Sequence, residues 1–359
     1  MQKIKRAALL IVAVACAFSL VCSCSQGKKL QVALVTDGGT IRDKTYNQGA
    51  WEGILAASEE YGFTPKSVQP EDSSSQSYLA RIEALYGEGY RVFVLPGILF
   101  TEALEQAQEK YTDCRFIAVD FTPAVVGQNT VSLTFADEQA AFLAGFAAAL
   151  ELKEGAFGGI FGMELPAAQR SSWGFQQGVA YANENYGTAI ELSEENFVYA
   201  GTFSDSARGQ QLAAEMYDRG VRCIFSAAGQ TGTGVITEAR ARTAAGEQLW
   251  CIGVDVDQSS LGVYQDADSV VITSASKDIS GAVEKAIATI VEDEFPGGQT
   301  LRYDASNDGV GIPVPEDTSG EDEESEGLSK QTLEAVQQLY ELLKSGEVTV
   351  KTDGDGLIS

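Results

Sequence analysis

The amino-acid sequence predicts an α/β protein with two lobes, each a doubly wound parallel sheet covered by helices. Short apolar runs at 30–35, 90–95 and 115–119 alternate with segments of helical periodicity, an order typical of parallel sheets. The same alternation begins again with a Gly-rich apolar run at 155–161. A chain of 359 residues is long enough to form two hydrophobic cores.

The first 23 residues are predicted to be a signal peptide that does not belong to the folded protein. Lys3, Lys5 and Arg6 form a positive segment, and an apolar segment follows at 7–21. This apolar segment is shorter than the ~20 residues that a membrane-spanning helix needs. A single anchor helix is therefore a weaker alternative.

A lipid attachment site is predicted at Cys24. The residues Val21-Cys22-Ser23-Cys24 look like a lipobox with cleavage before Cys24, because a small residue precedes this cysteine. An ordinary signal peptide without lipidation is the alternative. Residues 24–29 then form a short polar tether to the membrane.

Charge and composition exclude several functions. The full chain carries a formal net charge of −26, and removal of residues 1–23 makes it −29. Binding of nucleic acid or of anionic lipid by charge is therefore disfavoured. The absence of histidine removes His-based catalytic triads and His-type zinc sites, and no cofactor is indicated. Cys114, Cys223 and Cys251 lie in or beside apolar runs, which predicts small buried hydrophobes and no disulfide framework.

The opening element pairs a strand with candidate ligand-binding residues. Strand 30–35 is followed by Asp37 and two glycines, and a helix then begins with Thr45 or Asn47 as its cap. Ligands of open α/β sheets bind beyond the carboxyl ends of the strands, so Asp37, Tyr46 and Asn47 are candidates. Alternatively, Asp37 and Asn47 are loop and cap residues and Tyr46 packs locally.

The remaining elements follow from the positions of apolar runs and helical spacing. In the first half we predict helix 47–61, strand 63–68, helix 76–87, strand 90–95, helix 99–110, strand 115–119 and a strand or crossover at 131–135. In the second half we predict helix 137–150 capped by Asp137, strand 155–161, helix 169–186, strand 197–202, helix 206–219, strand 221–227, helix 235–245 and strand 249–254. The last elements are strand 270–275, helix 278–294, a strand pair within 301–312 and helix 329–344.

Charged residues and a glycine follow four of these strands. They are Asp120, Gly229, Asp255 and Lys277. If both sheets face one cleft, these carboxylates and the ammonium converge with Asp37 on a ligand. Such a set suits a neutral, hydrogen-bonding solute and repels a phosphate. Each aspartate alone is equally well explained as a helix cap.

Two further segments resemble known ligand-binding loops at first sight, but their residue spacing does not match those motifs. The loop 229–234 lacks the lysine of a phosphate-binding loop, so we interpret it as close backbone approach to a ligand. The acidic run 316–327 is interpreted as a solvated loop, because its spacing does not match a calcium-binding EF-hand.

Several blocks together resemble one protein family. The opening Asp37-Gly38-Gly39 with 43–48 and 50–53 resembles the first motif of the basic membrane protein family, lipoprotein receptors of ABC transporters that include purine nucleoside receptors. Five later blocks at 137–145, 202–209, 227–234, 252–258 and 273–277 are similar to further motifs of this family, in the same order. Thr45 replaces the usual serine, Tyr46 the usual phenylalanine and Thr40 a glycine.

The resemblance implies the type I periplasmic-binding-protein fold, with two lobes joined by three crossovers. The implied first lobe is 30–135 with 257–296, and the implied second lobe is 136–256 with 297–359. It also implies a lipid-anchored, extracytoplasmic receptor that binds a nucleoside, is not an enzyme and delivers its ligand to an ABC permease.

In such receptors a base is stacked between two aromatic rings, one from each lobe. Tyr46 stands at the position of the first ring. Phe225 is the candidate for the second ring, with Phe203 and Trp173 as alternatives.

The resemblance also implies roles for polar residues. Asp255 and Lys277 would hold the ribose hydroxyls, and Asp37, Asn47 and Asp120 would contact base or sugar. A receptor for a sugar or autoinducer-like solute, a sensor without transport, and a nucleoside-hydrolysing enzyme are the alternatives.

Overall fold

The computed structural model describes residues 30–266, 268–314 and 327–358. The predicted signal peptide, the tether with Cys24 and positions 316–326 of the acidic run lie outside the described residues. Within the described ranges, no helix has the length and apolar character needed to cross a membrane.

Strands and helices alternate along most of the chain. The strands are β1 (Val32–Val35), β2 (Lys66–Val68), β3 (Val92–Pro96), β4 (Arg115–Val119), β5 (Thr130–Phe135), β6 (Glu154–Phe161), β7 (Ala189–Tyr199), β8 (Val221–Ala227), β9 (Trp250–Asp255), β10 (Val263–Gln265), β11 (Asp268–Ser269), β12 (Val271–Lys277), β13 (Gln299–Tyr303) and β14 (Val310–Gly311). The helices are α1 (Tyr46–Tyr61), α2 (Ser75–Gly87), α3 (Thr101–Lys110), α4 (Asp137–Leu152), α5 (Pro166–Tyr186), α6 (Ser206–Asp218), α7 (Gln230–Ala244), α8 (Ile279–Val291) and α9 (Lys330–Ser345).

Two six-stranded sheets form the centres of the two lobes. The first has the strand order β13-β5-β4-β3-β1-β2 and is parallel throughout. The second has the order β14-β12-β9-β8-β6-β7 and is parallel except for β14, which runs antiparallel to β12. A small hairpin pairs β10 with β11. The predicted α/β class with two parallel-dominated sheets is confirmed.

The apolar strands are covered on both faces, as expected of parallel sheets. All four residues of β1 are fully buried. In the second lobe α4 and α5 approach closely through glycines of α5. A Cβ atom at Gly174 would lie 2.1 Å from the Glu138 carbonyl oxygen, and one at Gly178 would lie 2.0 Å from that of Phe142. Only glycine permits this contact between the two helices.

The predicted lobe boundaries are wrong at two strands. Residues 257–296 were assigned to the first lobe, yet β12 pairs in parallel with β9 in the second sheet. Residues 297–359 were assigned to the second lobe, yet β13 pairs in parallel with β5 in the first sheet. Short strands of this kind can add to either sheet, and the sequence pattern does not distinguish the two. Between them, α8 packs on α1 of the first lobe.

The described chain passes between the lobes three times. It leaves the first sheet between β5 and α4, returns between β12 and α8, and leaves again between β13 and β14. These three passages lie side by side and carry several residues of the candidate site.

Helix ends differ from the prediction in ways that matter for the site. The Thr45 side chain makes no capping hydrogen bond, and Asn47 lies inside α1. Asp137 is the first residue of α4 and not its cap, which is Ala136. Helix α5 begins at Pro166, since proline is well suited to a first helical position. Helix α7 begins directly after Gly229 and not at position 235.

Candidate ligand-binding site

A cavity lies between the carboxyl edges of the two sheets. It encloses about 700 Å³ of empty space, part of which is open to solvent. Both lobes line it. Six predicted residues are among those that line it: Tyr46, Asp120, Phe203, Gly229, Asp255 and Lys277.

Lys277 is the centre of a buried charge cluster in this cavity. Its ammonium lies 2.6 Å from Asp137, 2.7 Å from Asp120 and 3.3 Å from Asp255. Asp120 follows β4 of the first lobe, whereas Asp255 ends β9 of the second. The cluster therefore joins the two lobes through ion pairs, and Lys277 donates a hydrogen bond to Asp120.

Burial and neighbouring charges act in opposite directions within this cluster. Burial raises the pKa of Asp120 to about 7, although the Lys277 ammonium opposes the rise. Burial also raises the pKa of Asp255, again against Lys277. Burial by itself would lower the pKa of Lys277, but Asp120, Asp137 and Asp255 together raise this pKa well above its usual value. Lys277 is therefore charged, and the cluster is rich in hydrogen-bond acceptors.

The backbone at two of these carboxylates is in an uncommon conformation. Asp120 has a φ of 63° and Asp255 a φ of 69°, both in the left-handed region. Non-glycine residues adopt this region rarely, and such strain concentrates at functional sites. Both residues stand at strand ends that meet at the cavity.

Asp137 is a site residue that the sequence interpretation missed. It was predicted as a helix cap, but its carboxylate contacts Lys277 and also Arg170 at 2.6 Å. The next residue, Glu138, lies 2.6 Å from Arg302 of β13 and 3.6 Å from Arg170. Asp137 follows the end of β5 by two residues, so the strand-end rule that had selected Asp120 and Asp255 was a usable signal.

Asp37, Tyr46 and Asn47 form a second cluster in the first lobe. The Tyr46 hydroxyl donates a hydrogen bond to Asp37 Oδ2 at 2.7 Å, and Asn47 Nδ2 donates to Asp37 Oδ1 at 2.7 Å. Asn47 Nδ2 also donates to Asp43 at 2.7 Å. Burial, followed by the Asp37 carboxylate, raises the pKa of Tyr46 well above its usual value. The three predicted residues therefore lie together, with Tyr46 as the member that also lines the cavity with Lys277.

Two glycines without side chains leave room for two aromatic rings at the cavity. Tyr46 lies over Gly97, where a Cβ atom would be 3.0 Å from the phenol oxygen. Phe203 lies over Gly162, where a Cβ atom would be 2.1 Å from the ring. Tyr46 comes from the first lobe and Phe203 from the loop after β7 in the second, and both line the same cavity.

The preference for Phe225 as the second ring is corrected. Phe225 is fully buried and packs on Phe175 and Phe161, with ring centroids 5.2 Å and 5.9 Å apart. Its side chain belongs to the core of the second lobe and does not line the cavity. Trp173 lies against Gly354 near the end of the described chain and does not line it either. Of the three candidate rings, Phe203 is the one at the cavity.

The backbone of Gly229 borders the cavity at the start of α7. It has a φ of +56°, and a Cβ atom there would lie 3.2 Å from the Phe203 carbonyl oxygen. Glycine is therefore required both for conformation and for space. Among the described residues, no group of His, Cys, Asp or Glu side chains is arranged to hold a metal ion. The site offers aromatic faces, carboxylate acceptors and one ammonium, which can bind an uncharged polar ring system.

Comparison with known proteins gives a consistent result along nearly the whole chain. The model of the family described as "ABC transporter substrate-binding protein PnrA-like" matches residues 30–353. The ABC transporter nucleoside-binding protein BmpA of Lactococcus lactis is 32% identical over 302 residues, or 81% of this chain and 83% of that protein. An uncharacterized lipoprotein of Pyrococcus furiosus is 26% identical over 91% of this chain and 87% of that protein.

A solved structure supports the same fold. The ABC transporter solute-binding protein of Aeropyrum pernix superposes with a TM-score of 0.76 at 25% identity, over 91% of this chain and 95% of that chain. Its fold is of the periplasmic-binding-protein type, as predicted.

Proposed function

This chain belongs to the family of PnrA-like ABC transporter substrate-binding proteins, and from that premise we propose that it is a receptor for a purine nucleoside. Proteins of this family are substrate-binding receptors and not enzymes. The proposed receptor captures the nucleoside between its lobes and delivers it to an ABC permease.

The observation that supports a nucleoside most strongly is the pair of rings Tyr46 and Phe203. They come from different lobes and line one cavity. A flat base inserted between them would stack on both, and stacking contributes ~1–3 kcal/mol per base in nucleic-acid complexes. A simple sugar has no flat aromatic face and would contact the rings only through its C–H groups. The name of the Lactococcus lactis relative, nucleoside-binding protein, supports the same ligand class.

The charge cluster suits the ribose of the proposed ligand. The carboxylates of Asp120 and Asp255 can accept hydrogen bonds from vicinal hydroxyl groups, and Lys277 can donate to a hydroxyl oxygen. Lys277 already contacts three carboxylates, of which Asp255 at 3.3 Å is the most distant. A ligand hydroxyl can replace this contact at least cost. The excess of carboxylates would repel a nucleotide phosphate.

Delivery to a permease requires that the ligand favours a closed form. The Lys277–Asp120 pair joins the second lobe to the first, and Gln258 Nε2 donates to the Lys44 carbonyl oxygen across the lobes at 2.7 Å. A ligand that contacts Tyr46 and Phe203 at once adds to these links and shifts the population toward closure. The closed surface is then the form that a permease would bind.

Membrane attachment through Cys24 is part of the proposal. Its support is the lipobox-like sequence at 21–24 and the lipoprotein named among the relatives. Expression in a bacterial host with a clickable fatty acid should label the wild type and leave the Cys24→Ala variant unlabelled. Equal labelling of both would reject lipidation at Cys24.

Calorimetry with chain 24–359 tests the ligand class. We expect adenosine, guanosine or inosine to bind with a dissociation constant in the micromolar to nanomolar range, which corresponds to roughly −8 to −12 kcal/mol. The matching nucleoside monophosphate should bind at least tenfold more weakly. Ribose and arabinose serve as controls. Heat with a free sugar and none with any nucleoside would reject the proposal in favour of a sugar receptor.

A further inference from the structure

The environment of Asp37 leaves little capacity for a ligand. The Tyr46 hydroxyl donates to its Oδ2, whereas Asn47 Nδ2 and the Gly39 backbone N–H donate to its Oδ1, the last at 3.1 Å. A carboxylate has about four acceptor positions, so three are already used within the protein. Asp37 is also only 9% exposed.

The backbone of Asp37 is held as firmly as its side chain. Its carbonyl oxygen accepts hydrogen bonds from the Tyr78 hydroxyl at 2.6 Å and from the Ser73 hydroxyl at 3.1 Å. Its N–H donates to Asn47 Oδ1 at 3.3 Å. These bonds make Asp37 a fixed point to which the Tyr46 ring is attached.

The Tyr46 ring is held between Asp37 and Gly97. Its hydroxyl is bonded to Asp37 on one side, and the ring edge lies so close to Gly97 that a Cβ atom there would be 3.2 Å from Cε2. The hydroxyl proton is used by Asp37, so towards the cavity the phenol offers only the weak acceptor of a neutral hydroxyl in place of a carboxylate oxygen. Since the ring borders the cavity, this bond decides which hydrogen-bonding groups of Tyr46 and Asp37 are available to a bound base.

We propose that the hydrogen bond from Tyr46 to Asp37 makes the site tolerant of different bases, with Asp37 as a positioning residue for the ring and not an acceptor for the ligand. This inference rests on the proposed nucleoside function. Asp37, Tyr46 and Phe203 also line an adjoining cavity, so the bond occupies a carboxylate oxygen that could otherwise accept an N–H of the base. The site therefore discriminates little between bases with and without a ring N–H, and removal of the hydroxyl creates such discrimination.

Two nucleosides distinguish Asp37 as a positioning residue from Asp37 as a direct acceptor for the base. Inosine carries an N1–H donor, whereas purine riboside has the same ring system and ribose without that donor. Calorimetry gives the ratio of their dissociation constants for the wild type and for Tyr46→Phe, Asp37→Asn and the double variant. Tyr78→Phe is the matched control, because it removes a hydroxyl that is bonded to the Asp37 backbone and not to its carboxylate.

For Tyr46→Phe we expect weaker binding of purine riboside, by three- to tenfold, and a ratio shifted at least threefold in favour of inosine. The shift arises because the freed Asp37 oxygen can accept the N1–H. Asp37→Asn should weaken both ligands by the same factor. The double variant should show the wild-type ratio, and Tyr78→Phe should leave the ratio unchanged. Urea unfolding verifies that each variant is folded.

Three results would overturn the inference. One is an Asp37→Asn variant that binds inosine at least tenfold more weakly but purine riboside with unchanged affinity, since Asp37 would then contact the base directly. Another is a Tyr46→Phe variant with an unchanged ratio. The third is a Tyr78→Phe variant with the same shift as Tyr46→Phe. A wild-type protein that binds neither nucleoside would instead reject the proposed function, before any variant is compared.

Discussion

The Lys277 ammonium and the Asp137 carboxylate lie 2.6 Å apart, and each stands where the chain passes from one lobe to the other. Lys277 is the last residue of β12, and Asp137 is the first residue of α4. Their side chains are 6% and 1% exposed. A buried ion pair thus connects two of the three passages and borders the ligand cavity. The candidate site and the passages between the lobes consequently lie in the same part of the molecule.

Removal of the Lys277 charge should destabilise the fold strongly. Lys277→Met leaves three buried carboxylates without their cation, and loss of one partner of a buried pair costs about 3–5 kcal/mol. Lys344→Met is the matched control, because Lys344 also lies 2.6 Å from an aspartate, Asp308, but this lysine is partly exposed and the aspartate is exposed. Exposed pairs contribute about 0–1 kcal/mol. Urea unfolding at pH 8 measures both variants, and equal losses would contradict the importance of burial.

The raised pKa of Asp120 predicts a pH dependence of stability. Its folded value of about 7 lies above the unfolded value of 3.8, so between these values the folded state retains a proton that the unfolded state has released. The stabilisation is therefore fully present below pH 3.8 and is lost as the pH rises through 7. Asp255 also has a raised pKa and acts in the same direction.

The Asp120→Asn variant isolates this contribution. The free energy of unfolding of the wild type minus that of the variant should decrease from pH 5 to pH 8. Urea titrations at pH 5, 6, 7 and 8 measure it. A difference that is constant across this range would mean that Asp120 does not titrate as expected.

Two phenylalanine variants should differ in effect, since one should lose ligand affinity and the other folding stability. Phe203→Ala should weaken nucleoside binding roughly 5- to 150-fold, the equivalent of ~1–3 kcal/mol of stacking, with little loss of stability. Phe225→Ala should instead destabilise the fold by about 3–5 kcal/mol, because its ring is fully buried among other rings. Calorimetry and urea unfolding on both variants test this assignment. A strong loss of affinity in a folded Phe225→Ala variant, with none in Phe203→Ala, would reverse it.

A methyl group at Gly162 should affect binding more than stability. A Cβ atom there would lie 2.1 Å from the Phe203 ring, so the half-buried ring must move. We expect Gly162→Ala to weaken nucleoside binding at least fivefold, with a small change in melting temperature. Gly87→Ala is the control, because a Cβ atom at Gly87 would meet nothing within 4 Å. Unchanged affinity in Gly162→Ala would show that the position of Phe203 does not matter.

Part of the candidate site could be predicted from strand ends. Asp120, Asp255 and Lys277 were selected because they stand at or just after apolar strand runs, and carboxyl ends of parallel strands meet at one edge. Asp137 also follows a strand, but it was assigned to the helix that it begins. The strand-end rule could have placed Asp137 at the cavity, but its contact with Lys277 depends on a strand more than a hundred residues away, which no local pattern reveals.

The second ring illustrates a different limit. Phe225 lies within an apolar strand, and its side chain points into the core with Phe161 and Phe175. Phe203 lies beyond the end of β7 and borders the cavity. Which face a strand residue presents depends on the helices packed above and below the sheet. The residue type and its position near a strand therefore identify the candidates for the second ring, but they do not show which of them borders the cavity.

By itself, the sequence was sufficient to determine the α/β class, the doubling of the strand–helix pattern and the residues at the strand ends. These features depend on run length, periodicity and neighbouring residues, all of which are local. Only the tertiary structure decided that β12 joins the second sheet and β13 the first, that Lys277 is shared by three carboxylates, and that Phe203 faces Tyr46's cavity. These features arise from contacts between residues far apart in the chain, where packing and not local preference determines which partners meet.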